Sequence, residues 1–108
     1  MRKLIVNRKK AIAGCAGKVL IYSIDKIDKN IGINKEDCNF LGYLKNNSVL
    51  EIEIPKTEIT IFAAYDSFGV FVITDYLVIP QGAEDVVISG KTKLNPLRGN
   101  PFIFERNN

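Results

Sequence analysis

Between residues 48 and 79, apolar and polar side chains alternate with a period of two, broken only at two turn-like clusters. Leu50, Ile52 and Ile54 alternate with Val49, Glu51 and Glu53. Past Pro55-Lys56-Thr57 the period resumes, with Ile59, Ile61 and Ala63 set against Thr60, Phe62 and Ala64. Asp66-Ser67-Phe68-Gly69 then leads into Val70-Phe71-Val72-Ile73. A strand sends successive side chains to opposite faces, so this pattern predicts three consecutive strands joined by tight turns, a β-meander.

The rest of the chain supplies shorter strands. Lys3 to Val6 forms a first one, followed by a stretch from Asn7 to Gly17 that reads as an irregular crossover or a bulged strand. Val19 to Ile24 is apolar on both faces, which predicts a central position or a contact on each side. Phe40 to Leu44 closes at the turn triplet Lys45-Asn46-Asn47. Val86-Val87-Ile88 and Phe102-Ile103-Phe104 complete the set, and Pro101, lacking an amide donor, puts the last strand at a sheet edge. No segment reads as a helix longer than two turns.

Seven or eight short strands spaced near ten residues apart predict an all-β fold. The expected architecture is a two-layer antiparallel β-sandwich with Greek-key connections, with a small OB-like barrel as the alternative. The expected organisation is one domain over residues 1–108, with a polar excursion at 25–39 and an extended C-terminal arm at 94–108. At 108 residues the chain is long enough to bury a core without staples.

Composition narrows function mainly by exclusion. Histidine is absent, which removes Ser-His and Cys-His pairs, the commonest general base, and the usual zinc and copper sites. A net charge of +3 permits an anionic partner without arguing for one. Cys15 and Cys38 are too few for a disulfide framework, and two reduced thiols in a cytoplasmic protein is the simpler reading. Whether they pair stays open at this point. Ile12-Ala13-Gly14-Cys15 spells a bacterial lipoprotein processing box. The apolar run before it, however, stops at Val6 and gives way to Asn7-Arg8-Lys9-Lys10, so lipid anchoring at Cys15 is the disfavoured alternative. No run approaches the roughly 20 apolar residues that span a bilayer.

Each candidate chemical motif fails on its own terms. Glu51 and Glu53 share a strand face about 7 Å apart, as paired carboxylates might, but they occupy solvent positions where charge protects strands from aggregation. The acidic excursion carries Asp25, Asp28, Asn30, Asn34, Glu36 and Asp37. Counted from Asp28, though, a calcium loop would need a ligand where Gly32 stands and glycine where Ile33 stands. Gly14-Cys15-Ala16-Gly17-Lys18 resembles half a phosphate loop, with Ile12 in place of the first glycine and Val19 in place of Ser or Thr. No catalytic residue, metal ligand or cofactor is expected.

Two surfaces remain. Arg2, Lys3, Arg8, Lys9, Lys10 and Lys18 form the densest basic patch, a candidate for weak nucleic-acid or anionic-ligand binding. Stacking aromatics are not interleaved with these charges, and nucleic acid is not the expected partner. The other surface is apolar. Val49, Phe62 and Ala64 occupy the meander's outward positions, and the edge strand Phe102, Ile103 and Phe104 could join them. Such a face needs cover, from a second layer of the same chain or from another molecule.

Three segments, Tyr22-Ser23-Ile24-Asp25, Leu41-Gly42-Tyr43-Leu44, and Ile52-Glu53-Ile54-Pro55 running to Ile59-Thr60-Ile61, give about half of the chain a resemblance to small bacterial β-sandwich domains of the PEGA type. Lys56-Thr57-Glu58 replaces the glycine usual in the turn after the proline, and the excursion from Asp25 to Asn39 is longer than that family's tight turn. The resemblance implies a surface or accessory module and carries over no catalytic residue. The expectation is therefore a non-enzymatic interaction module that associates, with a protein partner or as a homodimer, through an exposed sheet face or edge.

Overall fold

The computed structural model describes residues 1–11, 17–25, 35–67, 69–93 and 101–105. The lipoprotein-like box with Cys15, most of the polar excursion, and the prolyl stretch 94–100 of the C-terminal arm lie outside the described residues. Eight strands follow in chain order: β1 (Arg2–Arg8), β2 (Val19–Ile24), β3 (Asn39–Leu44), β4 (Val49–Ile54), β5 (Ile59–Ser67), β6 (Val70–Ile79), β7 (Val86–Thr92) and β8 (Phe102–Phe104). They form two four-stranded sheets, ordered β4-β1-β7-β8 and β3-β2-β5-β6. The ladders stay separate, so the molecule is a two-layer β-sandwich and not a closed barrel. Neighbours that are distant in sequence, β1 with β4 and β7, β2 with β5, give the crossed connectivity expected of it.

Two expectations need correction. The meander does not form as such: β5 and β6 make a hairpin, but β4 leaves for the opposite sheet and pairs antiparallel with β1, from Arg2 opposite Ile54 to Asn7 opposite Val49. Residues 55–58 thus turn a corner between layers, where the missing donor of Pro55 costs no ladder bond. The sandwich is also not wholly antiparallel, because β1 and β7 run parallel, Leu4 beside Val86 through Arg8 beside Gly90. Most of the chain lies between those two strands, so no hairpin constrains their relative direction.

Between the sheets lies the main core. Leu4 and Val6 of β1 meet Val19 and Ile21 of β2, Ile59, Ile61 and Ala63 of β5, and Phe102 and Phe104 of β8, all essentially without solvent contact. Period two also carries Arg2 and Arg8 onto this inward face, one at each end of the Leu4-Val6 stripe. Arg2 donates from Nε to the carbonyl of Pro55 (3.1 Å) and from Nη2 to those of Thr57 (3.2 Å) and Pro80 (2.8 Å). It thereby ties together two corners that pass between layers. At the other end Arg8 donates from Nη1 to the carbonyls of Gly17 (2.9 Å) and Leu44 (2.7 Å), and from Nη2 to Thr92 Oγ1 (3.1 Å). Both guanidiniums donate to backbone carbonyls near the ends of the ladders.

The two long sides of the sandwich close differently. On one, the turn 45–48 joins β3 to β4 covalently across the layers. On the other, β6 carries a bulge: Ala63 opposes Asp75 and Ala64 opposes Ile73, leaving Thr74 as the extra residue. The local kink of a bulge re-aims side chains. Here Thr74 Oγ1 donates to the carbonyl of Phe102 (2.9 Å), and Asp75 Oδ2 accepts from the amide of Phe104 (2.9 Å). Side chains from one layer thus hold the edge strand of the other.

Candidate interaction surface

The β3–β4 side gathers exposed apolar side chains. Val49 is 62% exposed, Phe40 56% and Tyr43 46%. They surround a groove of about 470 Å³, completed by Gly42, Lys45, Ser48 and Leu50. Local sequence builds it. In β3 the register shifts, so that Gly42 opposes Ile21 while Phe40 opposes Tyr22, leaving Leu41 extra. Leu41 turns onto the main core while Phe40 and Tyr43 stay outside. Gly42 takes φ +153°, and a Cβ there would stand 2.7 Å from Leu50 Cδ1. A side chain there would be strained by the backbone angle and would push Leu50 back from the groove floor.

The turn beside it is stiffly held. Asn47 adopts φ 58°, a left-handed conformation that asparagine tolerates better than most residues. Asn46 clamps Ala11 in both directions, accepting from its amide (2.9 Å) and donating to its carbonyl (3.2 Å). Ser48 Oγ donates to the carbonyl of Lys45 (2.6 Å). Lys18 lies with Nζ 4.5 Å from the centre of the Tyr43 ring, a cation–π contact at the groove's rim. β3 and β4 are also the outer strands of their sheets, so each has one ladder edge unpaired by strands among the described residues.

Of the apolar residues singled out in the sequence, only Val49 lies here. Phe62 and Ala64 are fully buried, on the face of the β3-β2-β5-β6 sheet that turns away from the main core. Tyr22 stacks on Phe62 with ring centres 5.5 Å apart and planes 7° from parallel. Phe71 meets both edge-on, at 5.2 Å from Tyr22 and 6.0 Å from Phe62. Leu20, Ile24, Cys38 and Ile73 pack around them, making a second apolar cluster. The outward face therefore carries its own hydrophobic layer. Phe102 and Phe104 belong to the main core, and only Ile103 between them points outward, half-buried.

The basic patch does not assemble as one surface. Arg2 and Arg8 are buried on carbonyls, Lys3 pairs with Glu51 (3.2 Å) and Lys9 with Glu105 (2.9 Å). Lys10 is exposed, and Lys18 sits over Tyr43. Parity along β1 was the available signal, since Arg2 and Arg8 share it with Leu4 and Val6. Phe40 and Tyr43 went unrecognised as site residues because Gly42 marks a bulge that breaks the alternation between them.

Cys38 follows a 3-10 turn, Lys35–Asp37, at the margin of the second cluster. Burial raises its thiol pKa, and the neighbouring Asp37 carboxylate raises it further. A thiol so placed stays protonated and is a poor nucleophile. Among the described residues no three His, Cys, Asp or Glu side chains come together as a metal site, and no helix is long and apolar enough to cross a membrane. A second concavity of about 780 Å³ lies along the β6–β7 corner, lined by Leu77, Ile79, Pro80, Val86 and Ile88 with Glu84 and Asp85 at hand. Asp85 already accepts the amide of Lys3 at 2.8 Å.

Compared with known proteins, the chain matches no family model, no curated protein and no solved structure. The likeness to PEGA-type domains accordingly rests on the motifs quoted above.

Proposed function

We propose that this domain is a non-enzymatic interaction module that engages a protein, another copy of itself included, through its β3–β4 margin. The observation that carries the reading is the grouping of Phe40, Tyr43 and Val49, three large apolar side chains exposed around one groove. Rigid aromatic anchors around a hollow are what interfaces use as energetic centres. Two outer strands beside it offer backbone groups for strand addition. The reading takes the module to be cytosolic, on the ground that two cysteines are too few for a disulfide framework.

Association through this margin is expected to depend on side chains that contribute little to folding. Val49→Lys should cost about 0.5 kcal/mol or less, and Phe40→Ser about 0.5 to 1.5 kcal/mol because its ring also meets that of Tyr22 at 5.2 Å, so the double variant should remain folded with a modestly lower urea midpoint. Sedimentation at micromolar concentration should show self-association of the native chain, and its loss in the double variant. A native chain that sediments as a monomer, and that gives no adducts in its host from a photo-reactive residue at position 49, would remove the proposal.

A further inference from the structure

The clasp on β8 is a complete receptor for a strand. Its backbone wall is Gly90 to Thr92 of β7, paired antiparallel with Phe104 to Phe102. Its hollow is the missing side chain of Gly90: a Cβ there would collide with Phe102 Cζ and stand 2.8 Å from the carbonyl oxygen of Ile103. Its polar contacts are Thr74 and Asp75, delivered by the β6 bulge. Phe102 and Phe104 fill it edge to face, with ring centres 5.4 Å apart, and both are buried. Every one of these contacts is made by a strand of three residues, and none depends on which chain supplies it.

We propose that β8 is exchangeable, so that the slot between β6 and β7 accepts the Phe102-Ile103-Phe104 strand of a second copy and two molecules pair by trading C-terminal strands. Exchange conserves all contacts inside the slot and changes only the connection between β7 and β8. Among the described residues, opening that connection gives up one closing hydrogen bond, from the amide of Lys93 to the carbonyl of Pro101 (2.9 Å). Pro96 and Pro101 bias Asn95 and Asn100 towards extended backbone. Fully drawn out, residues 94–101 reach roughly 25 Å, at about 3.3 Å per residue. The slot lies at the outer edge of its sheet, so the arm need only reach the matching edge of an adjoining copy and not cross the 26 Å shortest dimension of the molecule.

The pairing of Lys91 with Ile103 on the outer side of the ladder supplies the test. In a full-length Cys15→Ser, Cys38→Ser background, Lys91→Cys and Ile103→Cys are made separately and together. The doubly substituted chain should form an internal disulfide, which certifies that the native ladder is present. The two single variants are then mixed, concentrated through mild urea to permit exchange, returned to buffer and oxidised. The expected product is a covalent dimer linking position 91 of one chain to 103 of the other, at least tenfold above the yield when Lys56→Cys replaces Lys91→Cys. Adding Val49→Lys should leave that yield unchanged, which separates this contact from the β3–β4 margin. Equal yields from the two pairings overturn the proposal. A second variant checks it from the other side: with Val49→Lys present to remove association at the β3–β4 margin, deleting Leu97 to Gly99 shortens the return to β7 and should convert monomer to dimer. A deletion variant that folds as a monomer counts against exchange.

Discussion

Replacing Arg8 with alanine is expected to lower the unfolding free energy by about 3 to 5 kcal/mol, as read from urea denaturation. The side chain is fully buried and its guanidinium serves Gly17, Leu44 and Thr92. Each charge-assisted bond contributes about 1.5 to 3 kcal/mol, and removal leaves two carbonyls inside without their donor. The aliphatic stem adds a packing loss. Arg8→Met separates the two effects, because it restores volume without donors; it should recover only part of the stability. Arg8→Lys should not rescue it, since one ammonium cannot reproduce the planar fork that meets acceptors on three different segments. A stability equal to the native chain would mean that these acceptors find other partners.

Phe62→Ala is expected to cost about 3 to 5 kcal/mol, as for a large aromatic removed from a core. The position tests whether the outer cluster is a true second core. Phe62 has no solvent contact, stacks on Tyr22 and takes the edge of Phe71. Were it an exposed docking residue, as its outward position in the sequence suggests, alanine would cost about 0.5 kcal/mol or less. Phe62→Leu should fall between, with the aliphatic volume retained and the stacking lost. A fall in association with unchanged stability would return Phe62 to the surface.

These two positions also show how far the sequence can be read. Alternation assigns each residue to a face, and β4 and β5 were visible that way, while other strands showed only as short apolar runs between turns. It does not assign a neighbour. β4 alternates as well beside β1 as it would beside β5, and nothing local distinguishes a hairpin from a corner between layers. Nor does alternation say what lies over an outward face. Leu20, Tyr22, Phe62 and Ile73 are outward in the same sense as Glu51 and Glu53, but strand neighbours give them one another for cover.

Charge misled in the opposite direction. Arg2 and Arg8 look like part of a basic run, yet their parity with Leu4 and Val6 sends them inward. Chain corners distant in sequence then supply their acceptors. The groove at β3–β4 was half legible. Val49 stood out because it breaks the polar side of its strand, whereas Phe40 and Tyr43 reach it only through the bulge at Leu41 and the close approach allowed by Gly42.

Which exposed apolar surface is offered to a partner is the centre of this account, and photo-crosslinking measures it directly. A photo-reactive residue is placed at position 49 or at position 87 and activated in the host. Val49 and Val87 are almost equally exposed, at 62% and 63%, but Val49 belongs to the groove with Phe40 and Tyr43 and Val87 to the β6–β7 concavity. Discrete protein adducts from position 49, at least tenfold above those from position 87, are the expected result. Equal yields from the two positions would contradict it.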